Sequence, residues 1–192
     1  MTDGNKAMRV VGVSGSLRKG SFNTAALRAA TELAPPGMTI EAAEIGDLPL
    51  YNEDVRQAGF PPAAERLREQ FRGADAILFV TPEYNYSVSG VLKNAIDWAS
   101  RPPDQPFDGK PVAIMGASPG MLGTGRAQYH LRQMLVFLNA LPVNRPEVMI
   151  AQASTKFDDA GRLTDEPTRE FIRKLLASLA AWTERLRASQ RA

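Results

Sequence analysis

Short apolar runs of strand length alternate along this chain with longer stretches in which apolar residues recur at helical spacing. Alternation of this kind favours a parallel sheet whose right-handed crossover helices cover both faces. The predicted strands span residues 10–13, 38–45, 76–80, 112–116 and 144–150, and the predicted helices span residues 23–33, 63–72, 88–100, 125–139 and 167–187. The sequence therefore predicts an α/β fold, a doubly wound five-stranded parallel sheet with helices on both faces.

The composition limits what such a chain can do. Its 192 residues are 44% hydrophobic and 23% charged, which fits one globular domain over residues 8–187 after a loose N-terminal tail at residues 1–7. The net charge of +2, without a long basic run, argues against a nucleic-acid partner. There are no cysteines, so thiol catalysis and thiolate metal sites are excluded, and redox chemistry needs a bound cofactor. Without an apolar leader or a run long enough to span a bilayer, we expect no membrane partner and a cytoplasmic location.

The loop after the first predicted strand is rich in small hydroxyl residues and leads directly into a helix. Ser14, Ser16 and Ser21 each offer a hydroxyl. Gly15 and Gly20 let backbone N–H groups turn inward at the positive end of the helix dipole. The spacing matches neither the dinucleotide-binding motif nor the phosphate loop of nucleoside triphosphatases, and several hydroxyls suit a terminal phosphate monoester. The alternative is that these are ordinary turn and helix-capping residues.

Two further loops fall at the same predicted edge of the sheet, where ligands of such folds bind. Residues 81–90 hold Tyr84 and Tyr86 among amides and hydroxyls, and residues 116–126 are dense in glycine. Together with the Ser-rich loop they predict a site for a flat heteroaromatic ligand with a phosphate tail. By composition alone, the two tyrosines could instead be rim aromatics, and Glu83 could be a general base or a paired, solvated carboxylate.

Three motifs follow one another along the chain, each at the end of a predicted strand or in the helix after it. They are Gly12-x-Ser14-Gly15-Ser16-Leu17-Arg18-x-x-Ser21-x-Asn23, Pro82-Glu83-Tyr84-Asn85-x-Ser87 and Lys93-Asn94-x-x-Asp97-Trp98. With these motifs the chain resembles the NADPH-dependent FMN reductase family of the flavodoxin-like superfamily, in particular its chromate and quinone reductase branch. The resemblance extends to the last helix and implies a flavodoxin-like fold.

The resemblance implies non-covalently bound FMN, NADPH or NADH as hydride donor, and acceptors such as quinones, chromate, nitro or azo compounds and free flavin. It also implies ping-pong turnover in which flavin N5 carries the chemistry, so that no side chain is a catalytic acid or base and no metal is needed. The phosphate is expected at Ser14, Ser16, Arg18, Ser21 and Asn23, the isoalloxazine ring at Pro82, Glu83, Tyr84, Asn85, Tyr86, Ser87, Ser118 and Gly120, and Phe22 is a further expected cofactor-binding residue.

The resemblance further implies a homodimer or homotetramer. Arg126, Tyr129 and Glu147 are then candidates for a polar network at the oligomer interface, although the helical spacing also suits an ordinary amphipathic helix. Residues 47–52 correspond to a loop that reaches the flavin of a neighbouring subunit, which would explain their row of apolar side chains. The only histidine, His130, is expected to have a structural role.

Two other functions remain open on this sequence. A flavodoxin-type electron carrier would bind FMN without NAD(P)H turnover of its own. The near-neutral net charge and the apolar residues 47–51 count against it, since such carriers tend to be strongly acidic. A nucleotide- or phosphate-binding regulator would have no redox role at all.

Overall fold

Strands and helices alternate along the computed structural model, which describes residues 7–189. The strands are β1 (Met8–Ser14), β2 (Met38–Ala43), β3 (Ala76–Val80), β4 (Pro111–Ala117), β5 (Leu141–Pro142) and β6 (Val148–Ile150). The helices are α1 (Phe22–Glu32), α2 (Glu53–Ala58), α3 (Pro62–Gly73), α4 (Gly90–Ala99), α5 (Gly125–Phe137) and α6 (Glu166–Ser189), with a 3-10 turn at Ala153–Thr155. Of the tail expected at residues 1–7, all but Ala7 lies outside the described residues.

The strands form one parallel sheet in the order β2-β1-β3-β4-β5, and β6 pairs with β4 further along the same edge. From β1 the chain first steps outward to β2 and then returns to the other side of β1 with β3. The crevice beyond the carboxyl ends of β1 and β3 is where sheets of this topology bind ligands. The prediction of a doubly wound parallel sheet is confirmed, while the domain boundaries at residues 8 and 187 stay a prediction.

Two apolar cores lie on opposite faces of the sheet. Helices α1 and α6 cover one face, with Ala26 and Leu176 fully buried. Helices α3, α4 and α5 cover the other, with Phe71, Leu92 and Leu131 buried against the strands. Strand β3 is buried along its whole length, as expected for a central strand with a continuous apolar sequence. No helix within residues 7–189 is both long and apolar enough to cross a membrane.

The last predicted strand is wrong in its extent. Instead of one strand over residues 144–150, the chain pairs at Leu141–Pro142, leaves the sheet, and pairs again at Val148–Ile150. Pro146 lies in the gap and has no N–H to donate to a ladder, which interrupts the strand. Helix α2 was not predicted, because its six residues include no buried side chain and therefore show no apolar period.

Candidate active site

A cavity of about 640 Å³ opens at the carboxyl ends of β1, β3 and β4. All three predicted loops and one further segment contribute to it. The lining residues are Ser16, Arg18, Gly20, Ser21, Phe22, Asn23, Pro82, Glu83, Tyr84, Ala117, Ser118, Pro119 and Ser154. Five of the predicted site residues lie outside this lining, namely Ser14, Asn85, Tyr86, Ser87 and Gly120.

The polar end of the cavity surrounds the N-terminus of α1. Ser21 is the N-cap residue, and its hydroxyl accepts hydrogen bonds from the N–H of Asn23 at 3.2 Å and of the next residue at 3.3 Å. The guanidinium of Arg18 lies 5.7 Å from the ring centre of Phe22 and donates to a backbone carbonyl of its own loop at 2.6 Å. The half-buried Ser16 completes this wall. Hydroxyls, a guanidinium and a helix N-terminus at one end of a cavity are suited to bind a phosphate.

Two of the predicted phosphate ligands, Ser14 and Asn23, use their side chains to join α1 to the strands. The hydroxyl of Ser14 lies 2.9 Å from that of Thr24. The buried side-chain amide of Asn23 donates to the carbonyl oxygen of Ala117 at 2.9 Å and accepts a hydrogen bond from the N–H of Ala117 at 2.8 Å. Both side chains therefore hold the start of α1 against the ends of β1 and β4.

The aromatic wall is a tight turn that follows β3. Tyr84 and Ser87 exchange two backbone hydrogen bonds of 3.0 Å, and Asn85 and Tyr86 between them have positive φ angles of 50° and 68°. Positive φ at both central residues is the geometry of a two-residue type I′ hairpin. The Tyr84 and Tyr86 side chains are 54% and 63% exposed, so both lie on the rim of the site.

Glu83 is a paired carboxylate. One of its oxygens accepts hydrogen bonds from the N–H groups of Arg126, at 3.0 Å, and of the next residue, at 3.3 Å. Its other oxygen lies 3.3 Å from the Arg126 guanidinium, which also lies 3.7 Å from the ring centre of Tyr86. The hydroxyl of Ser87 lies 3.1 Å from Nδ1 of His130. The turn after β3 is thus fastened to α5, and His130 has a structural contact.

The floor of the cavity is built by the segments after β4 and β6. The hydroxyl of Ser118 accepts a hydrogen bond from the N–H of Gly120 at 3.1 Å, and the carbonyl of Ser118 accepts one from the N–H of Ala153 at 3.0 Å. This second bond brings the 3-10 turn to the site, where Ser154 joins the lining. Ser154 was not predicted from the sequence, although its place after the last strand puts it at the same edge of the sheet.

The third motif, on α4, holds the loop that follows β2. The buried Trp98 donates from Nε1 to the carbonyl oxygen of Pro49 at 2.8 Å. Asn94 donates to the same carbonyl at 2.9 Å and accepts a hydrogen bond from the N–H of Tyr51 at 2.8 Å. The apolar row expected in this loop is only partly exposed, because Tyr51 also packs its ring edge against Trp98. Leu50 remains 86% exposed.

The three predicted interface residues lie on α5 and just before β6. The Glu147 carboxylate accepts a hydrogen bond from the Tyr129 hydroxyl and so raises the pKa of that phenol. Tyr129 is 53% exposed. Arg126 is engaged with Glu83 and Tyr86 instead, so the structure brings only Tyr129 and Glu147 into direct contact.

The cavity fits FMN in size and in the chemistry of its two ends. Its volume lies within the ~300–1,000 Å³ usual for small-molecule sites. One end offers hydroxyls, Arg18 and a helix N-terminus, and the other offers the flat surfaces of Pro82 and Tyr84. A Cβ atom at Gly15 would lie 3.0 Å from Pro82 and 3.1 Å from Ser89, so the lack of a side chain there lets the Ser-rich loop pack closely on the segment after β3. Among residues 7–189, no group of three or more His, Asp or Glu side chains is placed to hold a metal ion.

Comparisons with known proteins agree with this geometry. The model of the family described as NADPH-dependent FMN reductase matches residues 8–155. An NAD(P)H-dependent FMN reductase of Pseudomonas aeruginosa is 64% identical over 180 residues, which cover 94% of this chain and 97% of that protein. A quinone reductase of Escherichia coli is 47% identical over 186 residues, which cover 95% of this chain and 99% of that protein.

A solved structure shows the same relationship. It is the flavoenzyme NAD(P)H:(acceptor) oxidoreductase FerB of Paracoccus denitrificans, with a TM-score of 0.84 and 37% identity, and the match covers 93% of this chain and 98% of that one. The flavodoxin-like fold is thereby confirmed. The chain belongs to the NADPH-dependent FMN reductase family, and it is an oxidoreductase that uses FMN and NAD(P)H.

Proposed function

We propose that this protein passes reducing equivalents from NAD(P)H through FMN, held in the cavity, to quinones or similar small acceptors. The observation that carries the proposal is one cavity with a phosphate-binding end at the start of α1 and an aromatic turn after β3. Bound FMN supplies the redox chemistry, because it can take up two electrons from NAD(P)H and pass electrons on to the second substrate.

The chain's own residues bind and orient the cofactor. Arg18 and the hydroxyls of Ser16 and Ser21 hold the phosphate, together with the positive end of the α1 dipole. Glu83 and Tyr84 place their backbone beside the ring, and since the Tyr84 N–H is bonded across the turn, the Glu83 N–H is the one that can stabilise added negative charge. Within this proposal no side chain acts as acid or base, because Glu83, the only carboxylate among the described residues of the lining, is hydrogen-bonded to the start of α5.

The rim of the cavity suits acceptors that are flat and apolar. Tyr84 lies in the lining and is half exposed, and Tyr86 lies on the rim. The Escherichia coli relative, 47% identical and matched over 99% of its length, is named a quinone reductase, which supports quinones as the acceptor class. Chromate, nitro or azo compounds and free flavin are further candidates for the same open face. Since donor and acceptor would use that face in turn, we expect ping-pong kinetics, seen as parallel lines in double-reciprocal plots.

The test is reduction of the FMN-loaded protein without air. NADPH should remove the yellow colour within seconds, and a stoichiometric amount of benzoquinone should restore it. An equal concentration of free FMN, without protein, is the control for direct reaction. Colour that persists for minutes after NADPH is added contradicts the proposal and favours an electron carrier that needs a separate reductase. A purified protein that is colourless and takes up no FMN favours a regulator without redox function.

We also propose that the protein works as a homodimer or homotetramer. Arg126, Tyr129 and Glu147 lie at or near the exposed side of α5, and the loop around Leu50 presents an exposed apolar tip that a neighbouring subunit could cover. The expected cytoplasmic location stays a prediction that cell fractionation tests.

A further inference from the structure

Helix α5 begins without a side-chain cap of its own. Thr124, at the N-cap position, has a left-handed φ of 73° and makes no capping hydrogen bond. Its hydroxyl accepts a hydrogen bond from Gln128 at 3.1 Å instead. The orphan N–H groups of a helix start need an acceptor when they are partly buried. Here the acceptor is the carboxylate of Glu83, which comes from a different segment of the chain.

The turn next to Glu83 is in a conformation that its sequence does not favour. Asn85 tolerates a positive φ, but Tyr86 has a bulky side chain and still adopts φ of 68°. A strained backbone of this kind persists only when the surrounding contacts determine it, and it occurs preferentially at functional sites. Two hydrogen bonds across the turn are its own contribution. The remaining constraints come from α5.

We propose that Glu83 is a positioning residue, whose carboxylate clamps the turn at residues 84–87 to the start of α5 and so holds its backbone in place beside bound FMN. The Glu83 side chain is only 13% exposed, and its bonds join a residue of the cavity lining to a helix N-terminus, where a negative charge is stabilised. The contacts of Arg126 with Tyr86, and of His130 with Ser87, act on the same turn from the same helix. The proposal rests on the placement of FMN in the cavity.

Four variants separate the clamp from other roles of these residues. Glu83→Ala removes the carboxylate, whereas Glu83→Gln keeps one neutral acceptor oxygen for the two N–H groups. Arg126→Met removes the ion pair but keeps the N–H of that residue and the bulk over Tyr86. The control is Glu166→Ala, which removes another glutamate that is paired with arginines at a helix start and lies outside the cavity lining.

Two measurements apply to each variant. Hydrogen exchange of the Tyr84 and Ser87 amides is followed in FMN-free protein, because both amides are hydrogen-bonded across the turn. The dissociation constant of FMN is obtained from the quenching of its fluorescence, and the visible spectrum of the bound flavin is recorded. The exchange measurement does not depend on where FMN binds.

For Glu83→Ala we expect about tenfold faster exchange at both amides, about tenfold weaker FMN binding and a shifted flavin spectrum, in line with the loss of charge-assisted hydrogen bonds. Glu83→Gln should show about threefold effects, and Arg126→Met a smaller loss than Glu83→Ala, because both N–H bonds to Glu83 remain while the guanidinium contact with Tyr86 is lost. Glu166→Ala should resemble the wild type. Unchanged exchange in both Glu83 variants overturns the clamp. Faster exchange with unchanged FMN affinity and spectrum overturns the positioning role, and points to a different place for the ring. If Glu83→Ala fails to fold, Glu83→Gln alone tests the clamp. The neutral amide oxygen of glutamine is a weaker acceptor than a carboxylate, so amide exchange in this variant should still be about threefold faster than in the wild type.

Discussion

At the residue scale, Arg18 is the only cation among the residues that line the cavity in the described part of the chain. Its neighbour Lys19 is exposed and lies outside the lining, which makes it a matched control. We predict that Arg18→Ala weakens FMN binding by about tenfold to a hundredfold, because a charge-assisted bond to phosphate contributes roughly 1.5–3 kcal/mol. Lys19→Ala should change the affinity little. Fluorescence titration with FMN measures both, and equal affinity of the two variants would reject this role for Arg18.

Arg68 shows the opposite use of an arginine, as a buried structural group. Its side chain is 1% exposed, its guanidinium donates to the carbonyl oxygens of Ala99 and Arg101 at 2.9 and 2.6 Å, and it lies 4.1 Å from the ring centre of Phe60. These contacts tie α3 to the end of α4, the helix that carries Trp98.

We predict that Arg68→Met lowers the free energy of unfolding by about 3 kcal/mol, because buried carbonyl groups then lose their donors. Arg72→Met on the same helix removes a 37% exposed guanidinium that pairs with Glu65, and should cost less than about 1 kcal/mol. Urea denaturation followed by circular dichroism gives both values. Similar losses in the two variants would mean that the buried hydrogen bonds contribute little.

At the scale of elements, helix α6 depends on a cap that titrates. The Asp165 carboxylate accepts a hydrogen bond from the N–H of Thr168 at 2.9 Å and another from its hydroxyl at 2.5 Å. Both bonds lower the pKa of Asp165 from its usual 3.8, and the bond from the Thr168 side chain has the larger effect. A folded-state pKa below the unfolded value means that the cap stabilises the protein fully above about pH 4, and that this stability is lost as the pH falls through the folded-state pKa.

The prediction compares the wild type with Asp165→Ala. The variant should be less stable by about 1 kcal/mol at pH 6, the usual cost of losing a helix N-cap. The difference should shrink below pH 4 as the wild-type carboxylate takes up a proton. Urea denaturation at pH 6, 4 and 3 tests this, and a gap that stays constant across that range would show that the charge on Asp165 is irrelevant.

The elements also show what a sequence can and cannot reveal. Strands β1, β3 and β4 were predictable because continuous apolar runs, as in residues 76–80, leave one interpretation. The Ser-rich loop was predictable because its hydroxyls and glycines lie directly between a strand and a helix. The break between β5 and β6 was not predictable from the sequence. Leu141 and Pro142 show no strand pattern, and their pairing is set by contacts with β4. Ser154 and the partner of Asn23 depend equally on distant segments, as in the bonds between Asn23 and Ala117.

At the scale of the whole molecule, α5 presents an apolar surface to water. Tyr129, Val136 and Phe137 are 53%, 79% and 87% exposed, and their spacing of seven and eight residues places them on one face of the helix. Elsewhere α5 packs on the sheet through Leu131 and Leu135. A helix that is apolar on its buried side and again on its outer side is typical of subunit contacts. This face includes Tyr129, whose hydroxyl bonds to Glu147, so apolar and polar groups of the proposed interface lie together.

The last prediction therefore concerns assembly. Phe137→Glu places a charge on the exposed face and should convert an oligomer into a smaller species, while Tyr129→Phe, which removes one hydroxyl, should weaken the assembly more mildly. The control is Phe171→Glu, a change of the same chemistry at a 52% exposed phenylalanine on α6. Light scattering over a range of protein concentrations measures the mass of each variant. Equal masses for wild type, Phe137→Glu and Phe171→Glu would exclude this face, because burying an unpaired glutamate in an apolar contact is strongly unfavourable.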